Sequence, residues 1–314
     1  MTTSAPPSGS TEVTSRAKHA PTRKKGGDTD RAVAERRLGL KLAAPAAIIM
    51  LLVTAYPILY AVYLSLFRYD LRTPDLNEFV GLDNYILVLS SGVWWQAVLS
   101  TTIITVFSVL IELVIGLAFA MVMHRALFGR RTVRTAILIP YGIITVIAAF
   151  AFRFAVQPDT GFIGDLNPLG GTVGSFITII LTEVWKTTPF MSLLLLAGLA
   201  TVPEEMQEAA KVDGATATQR LFKVTLPNMK GAILVAVLFR TLDAFRIFDT
   251  VYVQTAGALN TNTISGIGYN ALITRVNLGL GSAISILLFL MIILIAFIFV
   301  KGFKTNLGTV KGAG

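Results

Sequence analysis

The stretch that decides how this chain is organised is TVPEEMQEAAKVDGATATQRLFKVTLP, residues 201–227. It is too polar to enter lipid, yet it lies between two apolar runs that could each cross a bilayer. Thr201 followed three residues later by Glu204 has the form of a capping box, and Pro203, Glu204 and Glu205 suit the first turn of a helix. Asp213-Gly214 is a turn signal, and glycine adopts a left-handed conformation without a side-chain penalty, so the first helix is expected to end by Gly214. A second short helix should then reach Pro227, whose ring bends or restarts the chain. Ala209, Ala210, Gly214 and Ala215 allow another surface to approach closely, and Glu208 and Asp213 can accept charged hydrogen bonds. A helix lying in the headgroups would carry mainly basic residues, whereas Glu204, Glu205 and Glu208 stand against Lys211. The stretch therefore reads as a helix, a turn and a helix that dock into a groove on a partner.

Working outward, the 314 residues are 54 % hydrophobic and only 14 % charged, a composition expected when lipid is the solvent. Apolar runs long enough to span lie at about 43–67, 96–123, 133–156, 174–200, 229–251 and 282–300. Arg240, Asp243, Arg246 and Asp249 interrupt the fifth, so hydropathy alone leaves five spans open. The basic residues decide for six. With both termini inside, the N-terminal tail, the connections after spans two and four, and the C-terminus collect twenty of the 27 Lys and Arg. Arg68, Arg72 and Arg275 fall outside, Arg153 at a boundary, and Lys186, Arg240 and Arg246 within spans. The expected fold is thus an all-α polytopic membrane protein with cytoplasmic termini. It comprises a basic unstructured tail over 1–42, a transmembrane domain over 43–304 with a cytoplasmic loop at 201–228, and a short tail over 305–314. The outer segment 68–95, with Phe79, Leu82, Tyr85 and Leu89, is expected to fold back onto the outer surface.

The net charge of +9 then reflects topology and contact with anionic lipid rather than nucleic acid. Absence of cysteine excludes disulfide scaffolds and thiolate chemistry, and two histidines leave no histidine-rich metal centre. No catalytic residues, metal ligands or bound cofactor are expected in this chain. It also lacks a GxxxxGK[ST] phosphate loop, so any ATP must be bound elsewhere.

Glu208-Ala209-Ala210, three residues, Gly214, nine residues, then Val224-Thr225-Leu226-Pro227 resembles the EAA loop of permease subunits in ATP-binding-cassette importers. The single departure is valine for isoleucine at Val224. Trp185, Pro189, Leu196-Ala197-Gly198-Leu199, Val202-Pro203 and Phe248-Asp249 are similar to the carbohydrate-uptake branch related to maltose permeases. The segments 44–47, 183–192 and 238–249 resemble permeases of trehalose importers. The resemblance implies an ATP-driven importer of a disaccharide, trehalose by likeness, located in the bacterial plasma membrane. The implied partners are a second permease, two ATPase subunits that hold ATP and Mg, and an external sugar-binding lipoprotein. It further implies that Glu208, Ala209, Ala210, Asp213, Gly214, Leu226 and Pro227 couple the permease to an ATPase.

The four charges of the fifth run would each cost about 2.5–3.5 kcal/mol facing lipid at a helix centre, so they must face protein or a water-filled path. On one continuous helix, Arg240 and Asp243 share a face with Ala244 and Ile247, while Arg246 and Asp249 form an adjacent pair. Counted from Leu226-Pro227, Arg240, Asp243, Ala244 and Ile247 match positions that line the sugar site of maltose-type permeases. Lys186, Thr187 and Phe190 match its other wall. Charge at Arg240, Asp243 and Lys186 is a departure from those relatives. Two readings stay open: sugar contact, with Phe190 or Phe245 stacking on a ring, or ion pairing that braces helices. Glu112 and Glu183 are read as partners inside the bundle or at an interface, with a proton relay as the lesser option. The rival function is an ion-coupled secondary sugar transporter with Glu112 or Asp243 as proton carrier.

Overall fold

The computed structural model describes residues 30–308, apart from 74, 76 and 126–128. It is almost wholly helical, as the apolar periodicity requires. Four helices are long and apolar enough to cross a bilayer: α1 (Asp30–Ser65), α3 (Gly92–Arg125), α6 (Thr172–Leu199) and α13 (Leu278–Gly308). The short α2 (Asp83–Ser90) precedes α3. Two bent helix pairs bring the count to six if each makes one span.

The run at 133–156 divides into α4 (Arg130–Gly142) and α5 (Thr145–Ala155), bent by 86°. Pro140 and Gly142 lie just before the break, and Ile144 is extended, so the hydrogen-bond ladder cannot continue. The run at 229–251 becomes α10 (Lys230–Ala244) and the short α11 (Asp249–Gln254). Fifteen residues of helix rise only about 22 Å, less than the hydrocarbon thickness, so α10 needs its neighbours to complete a crossing. Before it, α7 (Glu204–Val212), α8 (Ala217–Arg220) and α9 (Leu226–Asn228) form the polar segment, and α8–α9 meets α10 at 73°. After α11 comes α12 (Ile264–Tyr269).

The chain divides into two compact units, one ending at Tyr56 and the other starting at Pro57. Within the second, α3 and α6 pack along their lengths, and α6 also touches α4, α5, α10 and α11. Val109 and Ala120 of α3 meet Met191, Leu195 and Leu199 of α6 and Ala236 and Ala244 of α10 in one buried cluster. Close approach depends on small residues, as expected where lipid supplies no hydrophobic drive between helices. A methyl group added at Gly198 would lie 2.5 Å from Ala232 Cβ on α10. We expect Gly198→Ala to destabilise the α6–α10 contact by about 1–3 kcal/mol through overpacking, read as a lower melting temperature in detergent.

Of the tail expected over 1–42, residues 1–29 lie outside the described residues, whereas 30–42 are helical, as the start of α1. This shifts the expected boundary. The segment around Ala32, Ala34, Glu35 and Leu38 consists of good helix formers, and extending an existing helix avoids a new nucleation step. At the other end, α13 extends to Gly308, and 309–314 are outside the described residues.

Segment 68–95 is folded. Phe67–Arg68 pairs antiparallel with Glu78–Phe79, and Asn84 Nδ2 donates to the carbonyls of Ser65 (2.8 Å) and Phe67 (2.9 Å). Tyr85 Oη lies 2.6 Å from Ser65 Oγ. Hydrogen bonds from the side chain and backbone of Arg72 pull the Asp70 carboxyl down to about 2. Polar groups anchor this segment. Phe79, Leu82 and Leu89 remain exposed.

Candidate functional site

Segment 201–227 forms a helix–turn–helix, but its caps differ from the expected ones. Pro203 occupies the N-cap of α7 and supplies no side-chain bond, while Thr201 Oγ1 donates back to the Gly198 carbonyl. The Thr201–Glu204 capping box is therefore not formed, because the Thr201 hydroxyl caps the end of α6 instead. Glu204 and Glu205 still occupy the first turn, where the helix dipole favours them. At the other end, Ala215 N–H donates to Ala210 O (2.9 Å) and Gly214 N–H to Lys211 O (3.1 Å), which is a Schellman motif. Gly214 has φ +77°, the left-handed conformation that the motif needs. The capping box of this region lies at Thr216, whose hydroxyl and backbone exchange bonds with Gln219. Thr216 and Gln219 carry that signature in the sequence too, three residues apart.

Glu208, Ala209, Asp213 and Gly214 are exposed, as is Pro227, while Ala210 and Leu226 are half-buried. Exposed Met206, Val212 and Phe222 add apolar surface beside them. Gln207 went unrecognised in the sequence. Its amide donates to Thr225 Oγ1 at 2.8 Å and ties α7 to the turn that leads into α10.

The second cluster is buried where α3, α6, α10 and α11 meet. Arg240 is fully buried. Its Nε donates to Glu112 Oε2 (2.6 Å), its Nη2 to Glu112 Oε1 (3.0 Å) and Glu183 Oε2 (3.1 Å), and its Nη1 to Asp243 Oδ2 (2.9 Å). Thr187 Oγ1 reaches Glu112 Oε1 at 2.8 Å, and Thr250 Oγ1 donates to Glu183 Oε1. The planar guanidinium fork suits this task, since it engages one carboxylate in bidentate fashion and still reaches two more. Three carboxylates therefore surround one cation. Two are sealed in the bundle, while the Asp243 side chain is 60 % exposed.

Glu112 and Glu183 thus hold Arg240 inside the bundle, and the expected Arg240–Asp243 pair is part of a larger network. Thr187 belongs to that network. Lys186 is half-buried, with Nζ 5.6 Å from the Tyr141 ring centre, and the same ring stacks on Phe190 at 5.5 Å. Ala244 and Ile247 are buried against neighbouring helices rather than open to a path. The Arg246–Asp249 pair is not formed: both side chains are exposed and make no ion pair with each other. The helical wheel assumed a continuous helix, but α10 ends at Ala244 and the turn at 245–248 separates the two charges. Phe245 is buried in a different apolar cluster.

A family model described as "Binding-protein-dependent transport system inner membrane component" matches residues 112–307. The chain belongs to that family. The permease is thus a multi-pass inner-membrane protein and part of an ABC transport system that works with a binding protein. It is 55 % identical over 276 residues to the trehalose transport system permease protein SugA of Mycobacterium tuberculosis strain H37Rv, covering 86 % of this chain and 90 % of that one. It is 35 % identical to the trehalose/maltose transport system permease protein MalF of Thermococcus litoralis, over 85 % and 94 % of the two chains. A bacterial alginate ABC transporter crystallised with a pentasaccharide-bound periplasmic protein shares the fold, with TM-score 0.72, 19 % identity, and coverage of 85 % and 94 %.

Proposed function

We propose that the permease carries a disaccharide, trehalose, across the membrane as one of two permease subunits in an ABC importer. An external sugar-binding lipoprotein delivers the substrate, and two ATPase subunits, which hold ATP and Mg, drive the cycle. The exposed α7–Gly214–α8 element is the part of this chain that sits in an ATPase cleft. Glu208, Ala209, Ala210, Asp213 and Gly214 are its contact residues, and Leu226-Pro227 connects it to α10. The observation that carries this proposal is the Glu208–Gly214 motif on an exposed helix that Gly214 closes in the left-handed conformation. The name of the 55 % identical mycobacterial relative supports trehalose as the cargo.

Within the pathway, Asp243 presents a carboxylate that Arg240 holds in place, so a sugar hydroxyl can donate to it without first ordering the side chain. Lys186 and Phe190 beside Tyr141 supply a donor and an aromatic face on α6. Ala244, at the end of α10, and Ile247, in the turn after it, pack behind Asp243 without touching sugar. Glu112 is fully buried and engaged by Arg240 and Thr187, which suits a brace rather than a proton carrier.

Purified complex should contain an ATPase, and its ATP hydrolysis should rise when sugar-loaded binding protein is added. A chain that purifies without an ATPase and transports sugar on an ion gradient alone would overturn the proposal. Asp243→Ala leaves Arg240 paired with Glu112 and Glu183, so we expect normal assembly with sugar uptake reduced at least tenfold. Equal loss of assembly and uptake would make Asp243 a brace.

A further inference from the structure

A cleft of about 380 Å³ opens between the end of α5, the 156–171 connection and the segment after α11. Its lining includes Arg153, Gln157, Asn167, Gln254, Thr255 and Leu259. Gln254 is only 4 % exposed. Its Nε2 donates to Thr182 Oγ1 at 2.7 Å and lies 3.5 Å from the Ala149 carbonyl, yet its Oε1 has no hydrogen-bond partner. A buried amide oxygen left unpaired is costly, and its neighbours use their donors elsewhere: Thr182 donates to Thr178 O, and Arg153 Nη1 donates to Val253 O. Backbone strain concentrates around the same cleft. Asp159, Asn167, Ala256, Leu259 and Asn260 have positive φ, five of the six such non-glycine residues among those described.

We propose that this cleft is an entry subsite for a neutral polyhydroxyl ligand, the sugar cargo, upstream of Asp243. The inference rests on the sugar-import reading given above. The lining combines amides and one guanidinium with the apolar side chains of Leu169 and Leu259, which is the mixture that recognises hydroxyls and the C–H faces of a pyranose. It offers no carboxylate to hold a cation, and Arg153 Nη1 is already bonded to the Val253 carbonyl. The volume lies within the range of small-molecule sites and far exceeds the roughly 30 Å³ of a single water. Gln254 belongs to this lining and its buried Oε1 has no partner, so a ligand hydroxyl that reaches it supplies the missing donor.

The cleft also connects to the buried charge cluster. Thr250 and Gln254 lie four residues apart on α11, about 6 Å along the axis. Thr250 donates to Glu183, the carboxylate bound to Arg240, while Gln254 bonds to Thr182, the residue next to Glu183 on α6. A sugar in the cleft therefore touches the helix that ends at the network holding Asp243.

The test uses the complete importer in lipid nanodiscs with a diazirine-bearing trehalose as probe. In the wild type, photolabelling should map to peptides containing 153–169 or 254–259, and excess unlabelled trehalose should remove it. Gln254→Leu should lower that labelling at least tenfold. Gln157→Ala, at an exposed rim position, should lower it severalfold while the complex still assembles by gel filtration. Labelling unchanged in both variants, or absent from these peptides in the wild type, would overturn the subsite. Labelling displaced by sugar-free binding protein would also overturn it and assign the cleft to protein docking. If instead trehalose-loaded binding protein fails to stimulate ATP hydrolysis in the wild type, the import reading itself fails.

Discussion

Arg240→Met is expected to remove the assembled transporter from the membrane. The substitution fills similar volume but leaves Glu112 and Glu183 buried without a cation, and breaking one side of a buried ion network costs about 3–5 kcal/mol. That is a large part of the stability of a typical domain. The loss arises from the stranded carboxylates rather than from the missing arginine. Arg240→Met combined with Glu112→Gln and Glu183→Gln should therefore recover much of the assembly, because the burial of charge has been removed with its partner. Arg240→Lys should fall between, since an ammonium cannot engage Glu112 in bidentate fashion and still reach Glu183 and Asp243. Yield and melting temperature of the purified complex measure all three. Wild-type yield from Arg240→Met would show that this network does not hold α3, α6 and α10 together.

Gly214→Val is expected to abolish sugar uptake while the binding protein retains its affinity for sugar. A Cβ at Gly214 would meet no atom within 4 Å, so the effect is conformational rather than steric. At φ +77° an L-residue loses about 1–2 kcal/mol, and a β-branched one fits worse. The Schellman bonds from Gly214 and Ala215 would then open and misalign α7 against α8, the surface assigned to ATPase contact. Asparagine tolerates the left-handed region, so Gly214→Asn should retain a substantial part of uptake. Transport assays with reconstituted complex, paired with binding-protein titrations, separate these outcomes. Full ATP-driven uptake by Gly214→Val would remove this turn from the coupling path.

Most of the 201–227 segment was legible because its signals are local. Gly214 needs only its two neighbours and a helix behind it to take positive φ, and Pro227 restarts a helix wherever it stands. The same locality misled at Thr201, where the capping-box spacing was present but the hydroxyl bonded to the end of α6 instead. The pairing of Arg246 with Asp249 failed for a related reason. A helical wheel is valid only along an unbroken helix, and the break after Ala244 depends on how α10 and α11 pack against α6.

Read alone, the sequence marks a polytopic helical membrane protein with a polar, turn-rich segment between its fourth and fifth apolar runs. Hydropathy, basic-residue placement and turn chemistry are properties of short segments and survive without tertiary contacts. What the charges inside the spans do follows from packing. Glu112, Glu183 and Arg240 are separated by 71 and 57 residues in the chain, and nothing local indicates that one guanidinium meets both carboxylates. Low dielectric makes an unpaired charge there prohibitive, so each must find a partner. Which partner it finds, and that Asp243 alone keeps its carboxylate open, follows from the packing of α3, α6 and α10.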